Sequence, residues 1–218
     1  MDHQRVKSAF SLFFAATLLV FLTGCGTVYY SAMEKIGKEK RHILVDNVAD
    51  VQESQTMAQE EFTDALEKLK ALYHFDGAEL EKFYHQLKDS YDDCESRAGQ
   101  IEKRIQSVQQ VAKDLFAEWD AEIQQMSDPK LKSGSKASLQ DAKVKYRNLE
   151  NVMAQSTRSM YPVLTRLKDY VLYLKHNLNA KAVGSLSGEV VSIEKDVAKL
   201  ITDMNVSIAE AEQFIKNF

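Results

Sequence analysis

The chain has 218 residues, with 28 Lys and Arg against 32 Asp and Glu and a formal net charge of −4. Its 2 prolines and 8 glycines are too little turn material for a β fold, which excludes the sandwich and barrel classes. The length beyond the first two dozen residues suits a single domain.

Arg5 and Lys7 form a small basic start, and Ala9 to Leu22 is an uncharged apolar run ending in small residues. This is the pattern of a secretory signal peptide, and the run is shorter than the about 20 apolar residues that a membrane span needs. Leu22-Thr23-Gly24-Cys25 follows directly. An aliphatic residue, a small one, glycine and cysteine in that order make a lipobox, so residues 1–24 are expected to be cleaved and Cys25 to be lipidated. The alternative is an uncleaved signal anchor. Residues 25–29 then form a short tether, and two or more acyl chains on Cys25 suffice for stable membrane attachment. Gly26, rather than an aspartate, follows the cysteine. Sorting to the periplasmic face of the outer membrane is therefore expected over the inner membrane.

With Cys25 consumed by lipid, Cys94 is left as an odd thiol in an oxidising compartment, where burial or intermolecular pairing is expected. From Cys25 onward the chain carries 26 Lys and Arg against 31 Asp and Glu.

Apolar spacing then divides the remainder into four segments. Leu44, Val48, Val51, Gln55, Ala58, Phe62, Ala65, Leu69 and Leu72 alternate steps of four and three, a heptad seam that predicts a first helix over about 30–74. Asp76 to Glu79 resembles a capping box and starts the next helix. Its seam is Leu80, Phe83, Leu87, Tyr91, Cys94, Ala98, Ile101, Ile105, Val108, Ala112, Leu115, Trp119, Ile123 and Met126. Cys94 lies in this row and reads as a small buried apolar residue.

Ser127-Asp128-Pro129 ends that helix, and Ser133-Gly134-Ser135 adds loop character. The third seam runs Leu139, Ala142, Tyr146, Leu149, Met153, Ser156, Met160, Val163, Leu167, Tyr170 and Leu174. It keeps its phase across Pro162, which predicts one kinked helix, with an interruption at 159–162 as the alternative. A short turn is expected from His176 to Asn179 and on towards Gly188. The last seam is Val183, Leu186, Val190, Ile193, Val197, Leu200, Met204, Ile208, Ala211 and Ile215.

Four long helices with short connections predict an all-α, elongated antiparallel bundle with coiled-coil-like packing over 30–218. Val152, Leu164, Val171 and Tyr173 widen the apolar face of the third helix, and a face that wide needs more than one partner helix.

Two blocks carry a family resemblance: Tyr29 to Arg41 (YYSAMEKIGKEKR), and the C-terminal run from Ser192-Ile193-Glu194-Lys195-Asp196-Val197 through Ser207-Ile208-Ala209-Glu210-Ala211. With them the chain resembles domain-of-unknown-function family 2959, small bacterial lipoproteins. The resemblance covers almost all of the mature chain and implies no catalytic residues.

The residues themselves point away from an enzyme. No Gly-x4-Gly-Lys-Ser/Thr phosphate loop is present, and a lipidated periplasmic body meets neither ATP nor chromosomal DNA, so no cofactor and no nucleic-acid partner are expected. His42, His74, His85 and His176 lack metal-ligand spacing and read as solvated or capping residues, so no metal site is expected. Asp92, Asp93 and Glu95 around Cys94 raise a thiol pKa, the wrong direction for a nucleophile. Gly184-Ser185-Leu186-Ser187-Gly188 has leucine where a nucleophile elbow needs serine. Tyr161, Tyr170 and Tyr173 read as core and interface filler.

One feature suggests binding. Residues 130–181 hold eleven Lys and Arg against three Asp and Glu, whereas the rest of the mature chain holds 15 against 28. Lys143, Lys145 and Arg166 flank the seam and are expected to meet neighbouring helices. Arg147, Lys168 and Lys175 recur at multiples of seven, with Arg158 nearby, and predict an exposed basic stripe. It is either solvated surface or a docking surface for a polyanion. Two functions fit: a tethered helical scaffold or adaptor that binds an envelope protein or a second copy, and a membrane-surface module that binds anionic lipid or an envelope polymer through the third helix.

Overall fold

A computed structural model describes residues 39–71, 80–179, 184–186 and 188–218. The chain divides into two units, Met1–Ile43 and Leu44–Phe218, and the bundle described below belongs to the second. The lipobox, the Tyr29–Arg41 block up to residue 38, and the expected break at 76–79 lie outside the described residues.

The long elements are α1 (Lys40–Lys70), α2 (Leu80–Gln125), α3 (Pro129–His176) and α4 (Val190–Asn217), and no strand occurs among the described residues. Side-chain bonds give their order around the bundle. Asn47 bonds Ser107, Arg104 bonds the Asp50 carbonyl, Arg97 meets Glu61 and Lys68 bonds Ser90, so α1 and α2 run antiparallel. Gln109 to Glu150 and Trp119 to Ser135 set α2 against α3 in the same sense. Arg166 to Asp196 and Gln155 to Asp203 set α3 against α4, while Gln52 to Glu212 and Lys70 to Glu194 bring α4 back to α1. The result is an up-down-up-down four-helix bundle in which α1 and α3 are diagonal.

The seams form its core. Every predicted seam residue of α3 from Leu139 to Leu174 is buried, as are those of α1 from Leu44 to Leu69. In α2 the seam departs from the heptad reading at its end: Val111 and Phe116 are buried, whereas Leu115 and Trp119 are only half-buried. At about 3.6 residues per turn, Phe116 lies ten whole turns from Leu80, so on a nearly straight helix the apolar line drifts off the seven-residue repeat by one position. Phe116 then meets Tyr146 edge-on at 5.6 Å, and Tyr146 meets Phe214 at 6.4 Å. In α4 the buried line instead keeps the strict alternation of three and four, from which the seam read through Ile208 and Ile215 departs after Met204. Ser207 and Phe214 are buried, and Ile208 and Ile215 lie half-exposed.

The α2–α3 connection is shorter than expected. Ser133, Gly134 and Ser135 are helical, not loop, because Asp128 caps the helix and Pro129 occupies its first position. The Asp128 carboxylate accepts from the backbone N–H of Lys130 at 2.8 Å and of Leu131 at 2.9 Å. Proline is favoured there, since its missing N–H has no partner to lose. Lys132 donates to the Gln124 carbonyl at 3.1 Å, satisfying the exposed end of α2.

Helix α3 is one element across Pro162. Its end at His176 is closed by Asn177, whose backbone N–H donates to Leu174 and whose side chain donates to the Tyr173 carbonyl. Helix α4 starts at Val190, later than its seam suggested. Gly184 to Leu186 are helical and Gly188-Glu189 form a turn, with Glu189 N–H donating to the Leu186 carbonyl at 2.9 Å.

Candidate functional site

The chemistry-bearing residues that the sequence singled out fall into three places: the lipidation motif, the Cys94 layer and the outer side of α3. Leu22, Thr23, Gly24 and Cys25 lie outside the described residues. No described helix is long and apolar enough to cross a membrane.

Cys94 is fully buried and free. Burial, with Glu61, Asp93 and Asp64 adding to it, pushes its thiol up to about 12. The thiol is thus held protonated and shielded, as its place in the seam implies.

The cations of α3 separate into two sets. Arg166 belongs to the bundle, its guanidinium lying 2.7 Å from Asp196 and 3.8 Å from Glu189 of the segment leading into α4. The bond to Asp196 is the main cause of its raised pKa. Lys143 lies over the Phe116 ring of α2 at 6.0 Å, a cation–π contact instead of an ion pair. Lys145 turns to Asp141 of its own helix at 2.7 Å, not to a neighbouring helix. At the α3–α4 seam edge, Asp203 collects Lys199, Ser159 and Gln155. Burial alone would push its carboxyl up, but these three donors outweigh it and hold it below the usual carboxylate range.

Arg147, Arg158, Lys168 and Lys175 form the second set, and all four are exposed. Arg158 donates to Gln155 on its own helix at 3.0 Å. None of the four forms an ion pair among the described residues. They belong to a run along the outward side of α3, Val144, Arg147, Asn151, Ala154, Arg158, Tyr161, Thr165, Lys168, Leu172 and Lys175, again in alternating steps of three and four. This run contains no acidic residue. Asp141 and Asp169 lie off it, on the flank nearer α4.

Tyr161 and Tyr173 are where the sequence reading fails. Tyr170 is core as expected, but Tyr161 is 53% exposed and Tyr173 38%, and Leu172 and Val144 also face solvent at 52% and 42%. Tyr161 donates its hydroxyl to Glu102 of α2, and that bond raises its pKa. The outer side of α3 therefore alternates cations with exposed apolar and aromatic groups, a composition suited to binding. The alternation was visible in the spacing, had the outer positions been followed as closely as the seam.

The outer side of α1 also went unread. Asp46, Glu53, Glu60 and Glu67 recur every seven residues, opposite the seam, and all are exposed. Ala49, Thr56 and Thr63 alternate with them. The bundle thus has an acidic outer edge on α1 and a basic outer edge on the diagonal helix α3.

Neither a curated protein nor a solved structure matches the chain. The family model described as "Protein of unknown function (DUF2959)" matches residues 29–218, which include all of the described bundle, and the chain belongs to that family.

Proposed function

We propose that this chain is a non-catalytic lipoprotein, tethered through acyl chains on Cys25 to the periplasmic face of the outer membrane, whose helical bundle acts as a scaffold that docks an envelope partner on the outer side of α3. The observation that carries this reading is the acid-free outer run of α3. Arg147, Arg158, Lys168 and Lys175 form no ion pair among the described residues, while Arg166 on the same helix does.

Crosslinking of the intact protein in cells, read by mass spectrometry, tests the scaffold. A recurrent protein partner is expected from the wild type, and its loss from the Arg147→Ala, Arg158→Ala, Lys168→Ala, Lys175→Ala variant. Equal capture by both would overturn the role of α3. Labelling with a fatty-acid analogue tests the anchor: incorporation is expected in the wild type and not in Cys25→Ala.

Exposure of Tyr161, Leu172 and Val144 among the cations favours a second reading, a membrane-surface module resting α3 on anionic lipid or an envelope polymer. Sedimentation with vesicles containing anionic phospholipid tests it. Binding that the four-alanine variant loses supports the lipid surface, and absent binding or equal binding by both proteins removes it.

A further inference from the structure

The two charged edges are opposite in sign, equal in span and level in height. Asp46, Glu53, Glu60 and Glu67 place a carboxylate about every 10 Å along α1, at about 1.5 Å rise per residue. Arg147 and Lys168 on α3 are separated by the same number of residues as Asp46 and Glu67, with Arg158 and Tyr161 between them.

Height is set by the core. Gln55 of α1 bonds Ser156 of α3 across the bundle, a separation of 101 positions. Since α1 and α3 run in the same direction, Asp46 is level with Arg147, Glu60 with Tyr161 and Glu67 with Lys168, while Glu53 is level with Ala154, one turn before Arg158.

We propose that a second copy of this chain docks its acidic α1 edge on the basic α3 edge of the first, side by side and without sliding along the helix axis. This rests on the scaffold reading and names its partner. A sideways step along the α1–α3 diagonal then sets Asp46 against Arg147, Glu60 beside Arg158 and Tyr161, and Glu67 against Lys168. Ala49, Thr56 and Thr63 leave space for the long stems of the cations. Asp50 and Asp64, which flank the acidic row, are turned to Arg104 and Lys68, and Glu67 also touches Lys70 at 3.4 Å.

The contact uses a different surface on each copy, so it is head-to-tail and leaves a free acidic edge at one end and a free basic edge at the other. Rows of parallel bundles result, with the start of every α1 on the same side. That arrangement is compatible with anchoring all copies to one membrane.

Sedimentation velocity of the full chain in neutral detergent tests the proposal with two variants. One reverses the acidic edge (Glu53→Lys, Glu60→Lys, Glu67→Lys) and the other reverses the basic edge (Arg147→Glu, Arg158→Glu, Lys168→Glu). Each variant alone presents like charges on both edges, and self-association is expected to weaken at least roughly tenfold. An equimolar mixture presents complementary edges again and should restore association to within about threefold. Restoration also shows that both variants fold. A wild type that stays monomeric, or a mixture that stays dissociated, would overturn the proposal. So would binding to anionic vesicles that only the basic-edge variant loses, in the absence of self-association. Failure here, alongside capture of a different envelope protein by α3 in cells, would leave the scaffold reading standing and remove only the second copy as its partner.

Discussion

The Gln55 side-chain amide donates to the Ser156 hydroxyl at 2.7 Å across the centre of the bundle, joining the two diagonal helices. Both residues are buried, and Ser156 in turn donates to the Met153 carbonyl at 2.9 Å. Ser207 of α4 is fully buried as well, and its hydroxyl and the Gln55 carbonyl oxygen lack partners among the described residues. A polar position inside an otherwise apolar seam fixes register at a cost in stability. Here it fixes the height of α1 against α3.

This layer makes opposite predictions for single and double replacements. Ser156→Ala leaves the Gln55 amide buried without an acceptor and should lower stability by about 1–3 kcal/mol. Gln55→Leu combined with Ser156→Ala removes both needs, and that chain should be at least as stable as the wild type in urea denaturation. Equal losses in both variants would show that the layer stabilises the fold outright.

The drift of the α2 seam separates two neighbours. Phe116 is 8% exposed and packs against Tyr146, whereas Leu115 is half-buried. Phe116→Ala should cost about 3–5 kcal/mol and Leu115→Ala about 1 kcal/mol or less. Thermal or chemical denaturation of the two variants checks the order. The reverse order would mean that α2 follows the strict heptad line.

Cys94 gives the stability a pH dependence. Its thiol is pushed from an ordinary value of 9.0 to about 12 in the folded state, so above pH 9 the unfolded chain loses a proton that the folded one retains. Stability is unaffected by this group below pH 9, falls by up to about 1.4 kcal/mol per pH unit between the two values, and levels off above the upper one. Tyr91, raised to about 12 by burial and by its bond to Glu95, adds to the fall from pH 10 upward. Cys94→Ala should flatten the slope between pH 9 and 10. At neutral pH, thiol reagents should modify Cys94 only on the timescale of unfolding.

Gly99 in α2 and Gly134 in α3 are interior helical positions where an added Cβ meets nothing within 4 Å. Replacing either with alanine should raise stability by about 0.5–1 kcal/mol, through the lower backbone entropy of the unfolded chain. They lie far apart in the bundle, so the double variant should show the sum. A fall in the urea midpoint of either variant would contradict the open surroundings of that residue.

The core was legible because apolar side chains must share a face to leave water, and that forces their spacing. The seams from Leu139 to Leu174 and from Leu44 to Leu69 show it, with Gln55 and Ser156 as their polar members. Phe116 escaped because a repeat of seven and a helix of about 3.6 residues per turn part company over many turns, and Phe214 because the polar Ser207 holds the core position before it, so that the apolar Ile208 and Ile215 drew the seam one residue on. Ser133 to Ser135 were misread because loop composition was weighed above the Asp128 cap and Pro129, which together start a helix. On the surface no comparable force orders the residues. The cations of α3 stand out by their number, whereas their alternation with Tyr161 and Leu172, and the answering row on α1, lie in the spacing with no buried face to mark them.

The most direct test of the account places a photo-crosslinking residue at Leu172, between Lys168 and Lys175 on the outer side of α3, in the full chain in living cells. The account predicts a discrete protein adduct whose yield falls when Arg147, Arg158, Lys168 and Lys175 are neutralised. Crosslinks to lipid alone, or a protein adduct indifferent to those four charges, would contradict it.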